Sequence, residues 1–153
     1  MPSLNKNLIF VSTLFLTILT DQWSKIFAIH NFQEKKEIIP DFFAFTLQAN
    51  KGIAFSITFN KFLIIIFSSL LLILVFFLSR KYLKFEYKTP NILIPLIIGG
   101  GISNLIDRIR LGSVIDFISI SKYPIFNLAD VFITIGCIIL LLISSKFEKK
   151  HHD

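Results

Sequence analysis

The sequence contains 153 residues, of which 54% are hydrophobic and 17% are charged, whereas a soluble domain is about 25% charged. Together with a mean hydropathy of +0.71, this composition excludes an ordinary water-soluble domain. The 18 phenylalanines, with only five prolines and six glycines, also exclude a collagen-like or disordered chain. The net charge of +6 is spread between apolar runs, which is typical of loops flanking membrane spans and not of a nucleic-acid interface.

The first apolar run begins at Leu8 and continues to Ile29, with Asp21 and Lys25 near its end. On its own the run resembles the core of a signal peptide, but no small-residue cleavage site follows it. We therefore predict a retained first span over about residues 8–29, followed by a polar loop.

Two alternating stretches follow this loop. Apolar residues alternate with small or polar ones from Phe43 to Asn50, which is the period of a half-buried strand. After Lys51 and Gly52, the alternation resumes from Ile53 to Phe59. The period favours a hairpin at the membrane surface, and a short interfacial helix is the alternative for residues 53–59.

Three further apolar runs predict spans over about residues 62–78, 90–108 and 125–145. The second is followed by a dense group of basic residues between Arg80 and Lys88, as is typical of a cytoplasmic turn. The third contains Pro95 and three consecutive glycines, an irregularity that indicates a site and not a lipid-facing surface. Since each span takes roughly 20 residues, we predict an all-α integral membrane protein, a four-helix transmembrane bundle forming one domain over residues 1–153.

Polar residues converge at one end of this predicted bundle. Because successive spans alternate in direction, the ends of spans one and three and the start of span four share one membrane face. The candidate residues at that face are Asp21, Lys25, Asn104, Asp107, Arg108, Asn127 and Asp130, with Asn50 and Asp116 in loops. Charges at membrane depth are costly, so their clustering predicts a polar pocket. Gly100, Asn104 and Arg108 follow one another at i, i+4 and i+8 and line one stripe of the third span.

Some of these residues have structural alternatives. Asp21 and Lys25 are spaced i, i+4, so an intrahelical ion pair at a helix end explains them equally well. Asp107 lies off the stripe of the third span, and we assign it a structural or capping role.

Five blocks of residues stand out in order along the chain. They are Asp21-Gln22-x-x-Lys25, Asn50-x-Gly52-x-Ala54-Phe55, Gly100-x-x-x-Asn104-Leu105-Ile106-Asp107-Arg108, Val114-x-Asp116-Phe117 and Phe126-Asn127-x-Ala129-Asp130. In order and spacing these blocks resemble the successive motifs of lipoprotein signal peptidase, also called signal peptidase II. The resemblance covers the chain from Asp21 to Gly136.

The resemblance implies an aspartic endopeptidase of the bacterial inner membrane that removes signal peptides from prolipoproteins, cutting before a diacylglyceryl-modified cysteine. The family's catalytic aspartates match Asp116 and Asp130. Its other pocket positions match Asn50, Gly52, Asn104, Arg108, Asn127 and Ala129, and its first-span motif matches Asp21 and Lys25. The resemblance also implies a small extracytoplasmic β platform and a surface helix, which favours a helix for residues 53–59.

Two adjacent carboxyl groups suit amide hydrolysis, because one can activate water while the other protonates the leaving nitrogen. No other complete catalytic machinery is present: His30, which we place in a polar loop, is the only histidine near this face. The lone Cys137 and the tail pair His151 and His152 show no metal-ligand spacing, so we predict no metal and no cofactor.

Two other functions compete with a peptidase. A small proton-coupled transporter or channel would need a continuous polar path, whereas the second span is wholly apolar. A non-catalytic assembly subunit would need no paired aspartates. We predict a monomer with both termini in the cytoplasm and its active site near the extracytoplasmic face, with lipidated prolipoprotein and membrane lipid as partners and no nucleic acid.

Overall fold

The computed structural model describes residues 3–52, 60–82 and 89–149. Its helices are α1 (Ser3–Asn31), α2 (Lys61–Tyr82), α3 (Pro90–Leu111) and α4 (Leu128–Lys149), and its strands are β1 (Lys36–Ile39), β2 (Phe43–Asn50) and β3 (Val114–Ile120). The protein is therefore mostly helical, with one small antiparallel sheet.

Within the residues that the structure describes, two helices are long and apolar enough to cross a membrane. They are Lys61–Lys81 of α2, with a hydropathy of 3.0, and α3, with a hydropathy of 1.5. The apolar segment of α4, Leu128–Ile143, is shorter. Large apolar side chains on α1, α2 and α4 point outward, for example Phe62 at 72% and Leu141 at 68% exposed. An apolar surface of this extent is typical of a protein that faces lipid.

Helix α3 is the central helix, and it packs against α1, α2 and α4. Its three consecutive glycines, Gly99–Gly101, each face a different neighbour. A Cβ added to them in turn would meet Thr17 of α1, the carbonyl oxygen of Ala129 in α4, and Leu72 of α2. The absence of side chains at these positions lets the backbones of α1 and α4 approach α3 closely and makes room for the Leu72 side chain of α2.

The sheet lies beside the ends of α1 and α3, and its strand order is β1-β2-β3. Strand β2 is central and antiparallel to both neighbours, with Gln48 opposite Asp116 and Asn50 opposite Val114. Helix α3 ends at Gly112, whose left-handed φ of 78° turns the chain into β3. The sheet is thus attached directly to the C-terminal end of the central helix.

An aromatic cluster fixes the end of α1 to this sheet. Phe32, just after α1, stacks on Phe45 of β2 with ring centroids 4.6 Å apart, and it also contacts Phe117 of β3. Its carbonyl oxygen accepts a hydrogen bond from the backbone N–H of Leu47 at 2.9 Å. The sheet is therefore anchored to two helices, α1 and α3.

Comparison with the sequence-based expectations gives one confirmation and three corrections. The strand predicted over Phe43–Asn50 is confirmed. Asp116 lies in strand β3 and not in a loop, because β3 pairs with β2 along its length. The fourth helix begins at Leu128 and not at residue 125, because Phe126 bridges to Ile118 at the sheet. His30 belongs to the last turn of α1 and not to a loop. The predicted hairpin or helix over residues 53–59 lies outside the described residues.

Candidate active site

A hydrogen-bonded network of polar side chains lies where α1, α3, α4 and the sheet meet. Its members are Asp21 and Lys25 of α1, Asn50 of β2, Ser103, Asn104 and Asp107 of α3, Asp116 of β3, Asn127, and Asp130 of α4. Most are nearly inaccessible to solvent, and Asp21, Ser103 and Asn127 are each 0% exposed. Apart from Arg108, the polar residues that the sequence placed at one face are therefore joined in one network.

Asp116 accepts hydrogen bonds on both carboxylate oxygens. Asn50 Nδ2 donates to its Oδ2 at 2.9 Å, and Asn127 Nδ2 donates to its Oδ1 at 2.6 Å. Burial raises the pKa of this carboxyl to about 6, opposed by the Asn50 and Asn127 hydrogen bonds and reinforced by the charge of Asp130. A carboxyl with this pKa exchanges its proton close to neutral pH.

Asp130 lies in the first turn of α4, where the helix dipole favours a negative charge. Asn127 caps this turn reciprocally, because its Oδ1 accepts from Asp130 N at 3.0 Å while its own N–H donates to Asp130 Oδ2 at 3.2 Å. Asn104 Nδ2 donates to Asp130 Oδ1 at 2.9 Å. Both oxygens of Asp130 are therefore held by groups on two different segments.

Asn127 and Asn104 link the two aspartates. The Nδ2 group of Asn127 donates both to Asp116 Oδ1 and to Asn104 Oδ1, the latter at 3.1 Å. One asparagine thus contacts both carboxylates and the amide that binds the second of them. This arrangement fixes the two aspartates as a pair.

Lys25 is the buried cation of the network. Its Nζ lies 2.7 Å from Asp21 Oδ2 and 2.9 Å from Asp107 Oδ2, and it donates to Asn104 Oδ1 at 2.9 Å. The intrahelical Asp21–Lys25 ion pair, which the i, i+4 spacing offered as a structural alternative, is present, but it lies within α1 and not at its end. Asp107 also accepts from the backbone N–H of Ile115, in agreement with its predicted structural role.

Three predicted pocket residues, Gly52, Gly100 and Ala129, make backbone contacts at the edge of the network. The N–H of Gly52 donates to Asn50 Oδ1 at 3.0 Å and so orients the amide that binds Asp116. Gly100 lies against the carbonyl oxygen of Ala129, and this contact sets the distance between α3 and α4.

Arg108 is half-buried on α3. The carboxylates of Asp130, Asp116 and Asp107 lie close enough to attract its positive charge. Within the described part of the chain, its guanidinium forms no ion pair and no side-chain hydrogen bond. A cation in this position can meet a group that enters the site.

Sequence reasoning did not assign roles to Gln22 and Ser103. Gln22 Nε2 donates to Ser103 Oγ at 3.0 Å and to Asp107 Oδ1 at 2.9 Å, and Ser103 Oγ donates to Asp21 Oδ2 at 2.7 Å. The i, i+4 spacing of Ser103 and Asp107 was the available signal, because it places both on one face of α3.

The arrangement favours carboxyl chemistry. Two aspartates are held side by side by amide donors, and the exposed His30 lies on α1, outside the network. Among residues 3–52, 60–82 and 89–149, no His, Cys, Asp and Glu side chains group as metal ligands.

Comparison with known proteins assigns the family. The sequence profile of signal peptidase (SPase) II matches residues 13–146, which contain every residue of the network. The chain belongs to the signal peptidase II family.

Similar proteins agree with this assignment. The chain is 35% identical to the lipoprotein signal peptidase of Moorella thermoacetica over 133 residues, covering 86% of this chain and 89% of that protein. It is 40% identical to the lipoprotein signal peptidase of Clostridium tetani over 137 residues, covering 83% and 86% of the two chains.

The fold is also similar to a bacterial membrane enzyme solved by the in meso method at 2.3 Å resolution. The TM-score is 0.78 and the identity 28%, over 90% of this chain and 87% of that one. A second structure of this kind, at 1.9 Å, gives a TM-score of 0.76 at the same 28% identity, over 88% and 90% of the two chains. The signal peptidase II family is a family of peptidases, so neither a transporter nor an assembly subunit is favoured.

Proposed function

We propose that this chain is an aspartic endopeptidase of the bacterial cytoplasmic membrane that removes signal peptides from prolipoproteins, cutting before a diacylglyceryl-modified cysteine. Its catalytic residues in this proposal are Asp116 and Asp130. The observation that carries it is Asn127, which hydrogen-bonds to both aspartates and holds them as a pair. The names of the similar proteins support the prolipoprotein substrate.

In this mechanism the two carboxyls share one proton. The ionised member removes a proton from a water molecule, which attacks the carbonyl carbon of the scissile peptide bond. The protonated member donates a hydrogen bond to the carbonyl oxygen and then a proton to the leaving nitrogen. Two adjacent carboxyls keep one proton near neutral pH because both cannot easily ionise together. The raised pKa of Asp116 supports this step.

The remaining residues of the site hold the aspartates or meet the substrate in this proposal. Asn50, oriented by Gly52, and Asn104 position Asp116 and Asp130 respectively. The guanidinium of Arg108 can bind a peptide carbonyl oxygen near the reacting bond, since it is a fixed fork of donors. The outward apolar side chains of the helices face membrane lipid.

We place all four helices across the membrane, with both termini in the cytoplasm and the site near the extracytoplasmic face. The network lies toward the C-terminal ends of α1 and α3 and at the N-terminal end of α4, as alternating spans require. The sheet, which carries Asp116, then forms the extracytoplasmic platform. We expect the protein to act as a monomer on one prolipoprotein at a time.

The decisive experiment uses the purified protein and a prolipoprotein precursor prepared with and without the diacylglyceryl group. Release of the signal peptide from the lipidated precursor alone supports the proposal. A matched precursor with Ser in place of the modified Cys is the control for the lipid requirement. Absence of cleavage by the folded protein, or equal cleavage of both precursors, contradicts the proposed activity or its proposed specificity respectively.

A further inference from the structure

The residue before each proposed catalytic aspartate is held, through its backbone N–H, by a buried carboxylate from a helix. The N–H of Ala129 donates to Asp21 Oδ1 of α1 at 2.7 Å. The N–H of Ile115 donates to Asp107 Oδ2 of α3 at 3.2 Å. The two carboxylates therefore control the backbone immediately before the two proposed catalytic positions.

Lys25 joins these two carboxylates. An ammonium group has three donors, and those of Lys25 are taken by Asp21, Asp107 and the Oδ1 atom of Asn104. The third bond fixes the orientation of the Asn104 amide, so that its Nδ2 points to Asp130. Lys25 is 2% exposed, and water does not compete for these contacts.

We propose that Asp21, Lys25 and Asp107 form a clamp that sets the separation and orientation of the two proposed catalytic aspartates. This inference rests on the proposed function, because it assigns the clamp a part in that reaction. The three are positioning residues, since the two carboxylates hold backbone N–H groups, Lys25 holds the two carboxylates, and none of the three touches the reacting atoms. An ion pair that only joined α1 to α3 would not need carboxylate oxygens facing N–H groups on β3 and α4.

The charges of the clamp make it testable. Two carboxylates and one ammonium give a net charge of −1, so replacing either aspartate by Asn leaves one neutral, buried ion pair. Asp21→Asn and Asp107→Asn should therefore fold, whereas removal of Lys25 would leave two buried like charges. Ser79→Ala is the matched control, because Ser79 is also buried but hydrogen-bonds only within α2, to the carbonyl oxygen of Phe76.

The kinetic test compares kcat and KM for the lipidated precursor. Both Asn variants should lower kcat by about 10- to 100-fold, because small displacements of catalytic groups are costly, and should change KM by less than about threefold. Ser79→Ala should leave both values unchanged. Normal kcat in both Asn variants, or a loss confined to KM, overturns the clamp.

Amide hydrogen exchange tests the clamp without reference to the reaction. Because Lys25 couples the two carboxylates, Asp21→Asn should speed exchange at Ile115 as well as at Ala129, and Asp107→Asn should speed it at both positions too. Exchange in α2 should not change. Acceleration only at the residue that each carboxylate directly contacts overturns the coupling. If the wild type cleaves no precursor and the two Asn variants still show coupled exchange at Ala129 and Ile115, the proposed function is contradicted and the clamp is supported.

A second set of variants tests the clamp if the Asn variants do not fold. A backbone ester at position 129 removes the N–H that donates a hydrogen bond to Asp21, and it leaves every charge in place. The control is an ester at Val131, whose N–H donates to the carbonyl oxygen of Asn127 in the same helix turn. The ester at 129 should lower kcat by at least about tenfold more than the control ester. Equal effects of the two esters overturn the clamp.

Discussion

Asn127 combines two roles that are usually separate. It caps helix α4 by accepting from the N–H of Asp130, and its Nδ2 donates to the carboxylate of Asp116. Capping fixes where the helix begins, and that start point fixes where Asp130 lies. The same side chain therefore sets the local structure and the relative position of the two aspartates.

Asp116→Asn and Asp130→Asn should each abolish cleavage and leave precursor binding largely intact. The amide has nearly the shape of the acid, but it cannot remove a proton from water or donate one to the leaving nitrogen. The loss should be about 100- to 10,000-fold, and the double variant should be little worse, because neither carboxyl works alone. Single-turnover cleavage and precursor binding should be measured side by side.

Glu37→Gln is the matched control for these variants, because it makes the same change on the exposed strand β1. It should cleave at the wild-type rate. Turnover by either site variant at a comparable rate would show that the dyad is wrongly assigned.

The raised pKa of Asp116 predicts a pH-dependent stability difference. Its folded pKa of about 6 lies above the ordinary value of 3.8, so the folded state holds this proton more tightly than the unfolded state. The free energy of unfolding should therefore fall as pH rises from just below 4, through the folded pKa, to about 7. The span is about 3 kcal/mol for a shift of about two pKa units.

The comparison of wild type with Asp116→Asn isolates this effect. Thermal unfolding of both proteins in detergent should show the variant gaining stability relative to the wild type between about pH 4 and about pH 7, with no further change above. A constant difference over this range would be inconsistent with the raised pKa.

Arg108→Lys should reduce cleavage severely while the protein stays folded. An ammonium group cannot replace a planar fork of five donors that meets a carbonyl or carboxylate group. Asn104→Ala should act in the same direction but more mildly. Arg110→Lys is the control, because Arg110 is an exposed arginine near the end of the same helix. Full activity of Arg108→Lys would remove Arg108 from the proposed site.

At the scale of elements, the site depends on the close contact between α3 and α4. A Cβ at Gly100 would come within 2.7 Å of the Ala129 carbonyl oxygen and 2.9 Å of Ile133 Cγ1. The carbonyl group belongs to the helix start that carries Asp130, so it cannot yield without moving that aspartate. The position of Asp116 depends on α3 as well, because β3, which carries Asp116, follows directly from the end of α3.

Gly100→Ala should therefore lower both stability and activity. Overpacking of this kind costs about 1 to 3 kcal/mol, and the displaced α4 should lower kcat in addition. The control is Gly101→Ala, whose added Cβ meets the end of the flexible Leu72 side chain and no backbone. It should be milder in both thermal unfolding and cleavage. Equal effects would show that the α3–α4 contact has no special importance.

At the scale of the whole molecule, α2 stands apart from the network. It packs on α3 through Leu72, and its own surface is mostly exposed and apolar. The residues of the network lie at one end of the other three helices and in the sheet. This division fits the proposed topology, in which the apolar helix surfaces lie in lipid and the site lies near the extracytoplasmic face.

The proposed topology predicts that a reporter fused after Asp153 is active only in the cytoplasm. The dense basic segment from Arg80 to Lys88 supports this orientation, since basic loops are retained on the cytoplasmic side. A reporter inserted at Tyr123, which is 75% exposed in the segment between β3 and α4, should be active only outside the cytoplasm. The reverse pattern would invert the proposed topology.

The sequence by itself determined the apolar segments, the strand over Phe43–Asn50, the family and most, but not all, of the residues in the network. Periodicity and composition are local properties, and the order of the motif blocks is specific enough to identify a family without coordinates. The i, i+4 spacing also revealed the Asp21–Lys25 ion pair.

Only the tertiary structure decided how these residues are connected. The bond from Lys25 to Asp107 and the bond from the N–H of Ala129 to Asp21 join segments far apart in the chain. Asp116 was expected in a loop because β3 is stabilised by its partner β2 and not by its own pattern. Hydrogen bonds between distant segments have no period in the sequence, so their partners become known only when the helices and the sheet are packed together.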